Sequence, residues 1–262
     1  MTRGDQSFIK VIAVVAVAYV GLLLAMVLAN VMLVASDSTS AWATLGRPEI
    51  QQAILLSLGT SLLSAVLSVW MGTAIAYLVS REQFPGRRLV DFLMDLPIFL
   101  PPLVIGISLL ILFRQTPLAA IDSALGIAFY VPAIVLAQTV VGVAFVYRTM
   151  KATFDTMSTR QERIAQSLGS SRFGSFCKIT LPQSRQGLVT AAAIAWARSF
   201  GEFGPVLVFA GSIRGRTEVM PVSIYLELNS GNLSGAVMIA LMMIAIAAVV
   251  LTVARWTTGG PR

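Results

Sequence analysis

The sequence predicts an all-α polytopic membrane protein, and three observations carry that prediction. The 262 residues are 56% apolar and only 12% charged, with a mean hydropathy of +0.82, too hydrophobic a balance for an ordinary soluble domain. Six stretches reach the length of about 20 apolar residues that a helix needs to cross a hydrocarbon core about 30 Å thick. None shows the alternation, over about ten residues, of a barrel strand, so each must satisfy its backbone within its own helix.

The first stretch, Phe8–Ala35, is longer than the apolar core of a signal peptide, and no clear small-residue cleavage site follows it, so it reads as a span. Ala53–Ser80 is the second. The third, Leu89–Phe113, carries Pro97, Pro101 and Pro102, which are expected to kink or open it. Asp91 and Asp95 stand near its start and read as charges that complement the positive end of that helix. Phe129–Met150, Leu188–Gly211 and Leu233–Trp256 complete the set, and a single transmembrane domain over 1–262 is expected.

The basic residues orient the chain. With both ends cytoplasmic, the inner segments hold Arg3, Lys10, Arg81, Arg87, Arg88, Arg148, Lys151, Arg160, Arg163, Arg172, Lys178, Arg185, Arg255 and Arg262. The outer ones hold only Arg47, Arg114, Arg214 and Arg216. The net charge of +7 is thus spread over the loops of one side, which argues against a nucleic-acid partner. With no His and one Cys, Cys177, the chain lacks the means for His-based acid/base chemistry, a His/Cys metal centre or an internal disulfide, and no cofactor is expected.

The longest inner connection runs from about 151 to 185 and contains "ERIAQSLGSSRFGSFCKITLP", Glu162 to Pro182. Ser158 or Thr159 can cap a helix, with Glu162 as the acidic residue about three positions on. Gly169 suits the left-handed position that ends it. A second short helix is expected from Ser171 to Ile179, with Pro182 introducing the next span. Ile164, Ala165 and Leu168 share one face, and Glu162, Arg163 and Arg172 lie at its rim, so the module can press an apolar face into a groove on a partner.

The order Glu162, Ala165, Gly169, Ile179, Leu181, Pro182 resembles the EAA loop of prokaryotic ABC importer permeases, the cytoplasmic element that docks on the ATPase subunit. Arg163 and Ile164 depart from the alanines common there, and Gln186 from a common proline. The stretch "ARSFGEFGPVLVFAG", Ala197 to Gly211, resembles a sequence of the molybdate, tungstate and sulfate permeases. The proline-rich third span and the fourth resemble the same group. The resemblance implies a type I importer permease in a prokaryotic plasma membrane, built as a homodimer. It also implies an ABC ATPase subunit, an extracytoplasmic binding protein, and an oxyanion substrate, molybdate ahead of sulfate, thiosulfate or tungstate.

Arg198 and Glu202 belong to that second stretch. A charge facing lipid at the bilayer centre costs about 2.5–3.5 kcal/mol, so both are expected to face the protein and to neutralise each other. Two readings stay open: a structural ion pair, or a lining or gate of the translocation path formed with Ser199, Gly201, Phe203 and Gly204. Neutralising Glu202 is expected to strand Arg198. Arg214 and Arg216 read as ordinary outer-loop charge. No Gly-rich loop of the phosphate-binding type occurs, so ATP hydrolysis is assigned to another polypeptide and the chain is not read as an enzyme.

Overall fold

A computed structural model describes residues 3–258, and Arg262, counted above among the inner cations, lies outside them. Among the described residues the regular structure is entirely helical. The N-terminal part comprises α1 (Arg3–Ser36), α2 (Ser38–Leu45) and α3 (Pro48–Arg81). It is followed by α4 (Arg87–Phe99), α5 (Pro102–Gln115), α6 (Ala119–Leu125) and α7 (Val131–Thr156). Then come α8 (Arg160–Ser167), α9 (Arg172–Ser175), a π-helical turn (Phe176–Thr180) and α10 (Leu181–Gln183). The chain closes with α11 (Arg185–Phe200), α12 (Gly204–Phe209), α13 (Met220–Asn229) and α14 (Leu233–Thr258).

Among the described residues four helical segments are long and apolar enough to cross a membrane unaided: Phe8–Ser36, Pro48–Arg81, Val131–Thr156 and Leu233–Ala254. Helix α1 exposes apolar side chains all round, as expected of a helix set in lipid. The other two expected spans are broken. Helices α4 and α5 meet at a bend of 115°. Leu100 and Pro101 each precede a proline, and a residue before proline is pushed out of the α region. Both are extended, at ψ 139° and 134°, and two such residues in a row turn the chain. Pro97, by contrast, stays inside α4 without breaking it. Helix α11 stops at Phe200, and after Gly201–Phe203 the chain resumes as α12, where Pro205 suits the first helical turn.

The centre is a packed trio of α3, α7 and α11. On α3 a run of small polar residues, Ser57, Ser61, Ser64 and Ser68, is buried at helical spacing. Ser64 donates to Gln138 Oε1 at 3.0 Å and Ser68 to the Thr139 carbonyl at 3.4 Å, so small hydroxyls let α3 and α7 approach closely while each finds a partner. The opposite face of α3, with Leu55, Leu62, Val66 and Trp70, is exposed and apolar.

Asp91 and Asp95 do not cap a helix. Because α4 begins at Arg87, they fall beyond its first turn, and they reach across to α7 instead: Tyr147 donates to Asp91 at 2.6 Å, and Arg148 pairs with Asp95. Nor are Arg214 and Arg216 merely loop charge. Arg214 donates to Glu227 at 2.9 Å, and Arg216 lies 3.7 Å from the ring centre of Tyr130.

Candidate functional site

The expected cytoplasmic module forms, with a geometry that the sequence describes only in part. Helix α8 ends in a Schellman motif: the Ser170 amide donates to the Ala165 carbonyl and the Gly169 amide to that of Gln166, both at 3.0 Å. Gly169 has φ +91°, the left-handed conformation this motif requires. Thr159 stands at the N-cap without a side-chain cap bond, and Ser158 Oγ accepts from the Arg160 amide at 3.3 Å. Ser171 caps α9 by accepting from the Gly174 amide at 3.0 Å.

The second helix does not stop at Ile179. It widens into the π turn and runs on through Pro182 into α11, with a turn at Ser184. Proline offers no N–H to the carbonyl four residues back and its ring crowds that carbonyl. The wider turn before Pro182 accommodates both effects.

Glu162 does not fold back on its own helix end. It is buried and points into the body of the protein, away from the rim where the sequence reading put it. The guanidinium of Arg81 donates to its Oε1 at 3.2 Å, the Thr180 hydroxyl to the same oxygen at 2.7 Å, and the Tyr77 phenol to Oε2 at 3.2 Å. Charge-assisted bonds to a buried guanidinium outcompete a solvated helix terminus. Arg81 also donates to the Phe154 carbonyl, at 3.0 Å, in the last turn of α7. The sequence reading counted Arg81 only as an inner-face charge. Its spacing of four from Tyr77, at the end of an apolar helix, places both on one face and was the available sign of a shared partner.

The other side of α8 is open. Leu168 is 83% exposed, Phe173 on α9 is 76% exposed and Ile164 is about half exposed, while Ala165 is half buried. Arg163 is exposed, and Arg172 pairs with Glu82 at 2.6 Å. A cleft of about 880 Å³ runs between α3 and this module, lined by Trp70, Thr73, Tyr77, Arg163, Phe173 and Phe176 among others.

At the second candidate position, Arg198 and Glu202 pair at 3.1 Å. Their environments differ sharply: Glu202 is buried, whereas the Arg198 side chain is 42% exposed and stacks on the ring of Phe145 at 5.1 Å. Glu202 and Gly201 lie past the end of α11, and Ser199 is buried beside them. Phe203 meets the ring of Tyr225 with centroids 5.5 Å apart. The two broken spans touch at their breaks. A Cβ on Gly204 would sit 2.8 Å from Cβ of Pro102, and one on Gly106 would sit 2.9 Å from Cα of Pro205. The structure therefore brings α5 and α12 together near the Arg198–Glu202 pair, a juxtaposition that the separate motifs did not reveal.

The family model described as "Binding-protein-dependent transport system inner membrane component" matches residues 65–258, from the second half of α3 onward, including the α8–α9 module and both breaks. This chain belongs to that family. The permease is 36% identical over 213 residues to the molybdenum transport system permease protein ModB of Mycobacterium bovis, which covers 80% of each chain. It is 33% identical over 210 residues to ModB of Escherichia coli K12, covering 78% of this chain and 92% of that one. It is also 32% identical over 209 residues to the sulfate transport system permease protein CysT of the same organism, covering 78% and 75%.

Among solved structures, a bacterial ABC transporter involved in importing the acidic polysaccharide alginate matches with a TM-score of 0.67 at 18% identity. The match covers 93% of the permease and 96% of that chain. An inward-facing form of the methionine ABC transporter MetNI matches with a TM-score of 0.61 at 14% identity, covering 81% and 97%. At such identities the agreement is one of fold. The permease has the fold of an ABC importer membrane subunit and is a transport component of the inner membrane.

Proposed function

We propose that the permease imports an oxyanion of the molybdate or sulfate kind, molybdate first. It would receive the anion from an extracytoplasmic binding protein and draw its power from a separate ABC ATPase subunit. The whole chain acts as one transmembrane domain, pairs with a second copy, and keeps both termini and the segment of about 151–185 in the cytoplasm. The observation that carries this reading is the apolar surface of Ile164, Leu168 and Phe173, left uncovered on a short rigid helix pair in a chain of this family. Exposed apolar clusters of this kind mark protein contacts.

In this reading ATP-driven closure of the two ATPase subunits draws the two α8 helices together, and the spans follow. The relatives' named substrates, molybdenum and sulfate, support the choice of anion class. Arg198, Ser199, Gly201, Glu202, Phe203 and Gly204 line or brace the path where the broken spans meet.

The test is reconstitution in proteoliposomes with the ATPase subunit and the binding protein, followed by uptake of radiolabelled molybdate and sulfate. Leu168→Asp and Ala165→Asp place a charge in the apolar contact. Each is expected to abolish uptake and substrate-stimulated ATP hydrolysis together, with the permease still folded and dimeric. Uptake by the permease without an ATPase subunit would overturn the reading.

A further inference from the structure

We propose that Arg81 is a positioning residue that fastens the cytoplasmic module to α3, so that α3 and α8 move as one body when the ATPase moves. The inference rests on the docking role given above to α8 and adds to it the route by which displacement reaches the membrane.

The observation is a clasp of four elements around one ion pair. Arg81 and Glu162 each keep only 8% of their side-chain surface exposed. Glu162 receives bonds from α3 through Arg81 and Tyr77, and from the π turn through Thr180. Arg81 in turn donates to the carbonyl of Phe154 in the last turn of α7, which also accepts from the Met157 amide at 3.1 Å, and lies over the Phe154 ring at 6.0 Å. Tyr77 is held between rings, 5.7 Å from that of Phe154 and 4.6 Å from that of Phe176. Removing either charge leaves the other buried without compensation, so the clasp resists opening.

Elsewhere α8 has little hold on the membrane part. It packs on α9 and the π turn, and the space between it and α3 is the open cleft lined by Trp70, Thr73 and Phe173. A push on Leu168 is therefore delivered to α3 and to the end of α7 chiefly through the buried Arg81 and Glu162, the solvent-exposed Arg172–Glu82 pair being a weaker second tie. A stiff connection of this kind between the docking surface and a helix that moves can carry the coupling. The first link of the chain of force runs backward in sequence, to the second span, in addition to running forward into α11.

Two measurements test the proposal in the full-length protein with Cys177→Ser. Spin labels at Ser167→Cys on α8 and Leu63→Cys on α3, carried by only one protomer of the dimer so that no inter-protomer distance is read, report their separation by pulsed EPR in the isolated permease and in the ATPase complex, with and without ATP. The expected result is one narrow distance that does not change with nucleotide. Arg81→Gln should broaden it, Tyr77→Phe should broaden it less, and Arg81→Lys should restore most of it. In the reconstituted complex Arg81→Gln should lower stimulation of ATP hydrolysis by loaded binding protein at least tenfold, with co-purifying ATPase subunit kept within twofold and stimulation recovered by Arg81→Lys.

A wild-type distance that shifts with ATP would overturn the proposal. So would an Arg81→Gln variant with unchanged distance and unchanged stimulation. Failure of wild type to bind any ATPase subunit would instead remove the docking reading, while the distances in the isolated permease still decide whether Arg81 holds α8.

Discussion

Arg47 donates to both carboxylate oxygens of Glu227, at 3.2 and 3.1 Å, and so joins the start of α3 to the last turn of α13, at the end of α3 opposite the α8–α9 module. Arg214 reaches the same carboxylate at 2.9 Å and Asn232 at 2.6 Å. Glu227 is fully buried, whereas both arginines remain more than 40% exposed. Either arginine alone can therefore be lost at a cost of about 1 kcal/mol or less, since its partner keeps the carboxylate compensated. Arg47→Ala with Arg214→Ala should cost more than the sum, toward the range of about 3–5 kcal/mol seen when a buried charge is left alone. Thermal unfolding of the detergent-purified single and double variants measures this, and additive shifts would show that Glu227 has sufficient compensation elsewhere.

The Arg198–Glu202 pair obeys the same asymmetry, so Glu202→Gln leaves a partly exposed Arg198 and not the stranded buried charge that the sequence alone leads one to expect. Glu202 is the buried member. Arg198→Gln should therefore impair folding and uptake more than Glu202→Gln does, and the double change should recover part of the loss. A double-mutant cycle on unfolding temperature and on uptake checks the order.

At Gly169 nothing lies within 4 Å of where a Cβ would stand, so space is not the constraint and the left-handed φ of +91° is. Gly169→Val should cost about 1–2 kcal/mol locally and reduce retention of the ATPase subunit, while Gly169→Asn, which tolerates this conformation, should retain most of it. Membrane insertion should be equal in both. Equal retention of the ATPase subunit by all three proteins would show that the helix end carries no docking role.

Gly106 presents the opposite case. A Cβ there meets backbone, 2.9 Å from Cα and 3.1 Å from the carbonyl oxygen of Pro205, and backbone cannot swing aside as a side chain can. Gly106→Val should separate α5 from α12 and destabilise the protein by about 1–3 kcal/mol. The measurement is again thermal unfolding, with Gly21→Val, whose Cβ meets nothing within 4 Å, as the variant expected to change little.

Asp122 on α6 ties the end of that helix to the loop before α7. Its Oδ1 accepts from the amides of Ala128 at 2.6 Å and Ile127 at 3.0 Å, and Arg114 donates to Oδ2 at 3.3 Å. The Ala128 amide above all, then Arg114 and the Ile127 amide, hold its carboxyl below the ordinary value against the opposing effect of burial. A carboxyl lowered by folding contributes stability above its unfolded pKa of about 3.9 and loses it as pH falls through the folded value. Amide protection over 119–130, corrected for the intrinsic exchange rate at each pH, should thus be flat at neutral pH and fall only below about pH 4, and Asp122→Asn should remove that acid step.

Much of this architecture was legible in the residues themselves. Long apolar runs must become helices because lipid offers no partner for a backbone N–H. Tandem prolines must break a helix at Leu100–Pro101, and Gly169 followed by a polar pair must end one, because those effects act within a few residues of chain. The place of the exposed apolar residues on α8 follows from the same local periodicity. What lies beyond a few residues was decided only by tertiary structure. Glu162 looked like a rim charge and is a buried one because Arg81, 81 positions earlier, arrives beside it with Tyr77. Asp91 and Asp95 looked like caps and became ties to α7 because α4 starts four residues before the first of them. Which member of the Arg198–Glu202 pair is buried, and that the breaks in two separate spans meet at Gly204 and Pro102, depend on how helices stack. Burial and long-range pairing are properties of packed surfaces, and sequence spacing carries no record of them beyond a turn or two of helix.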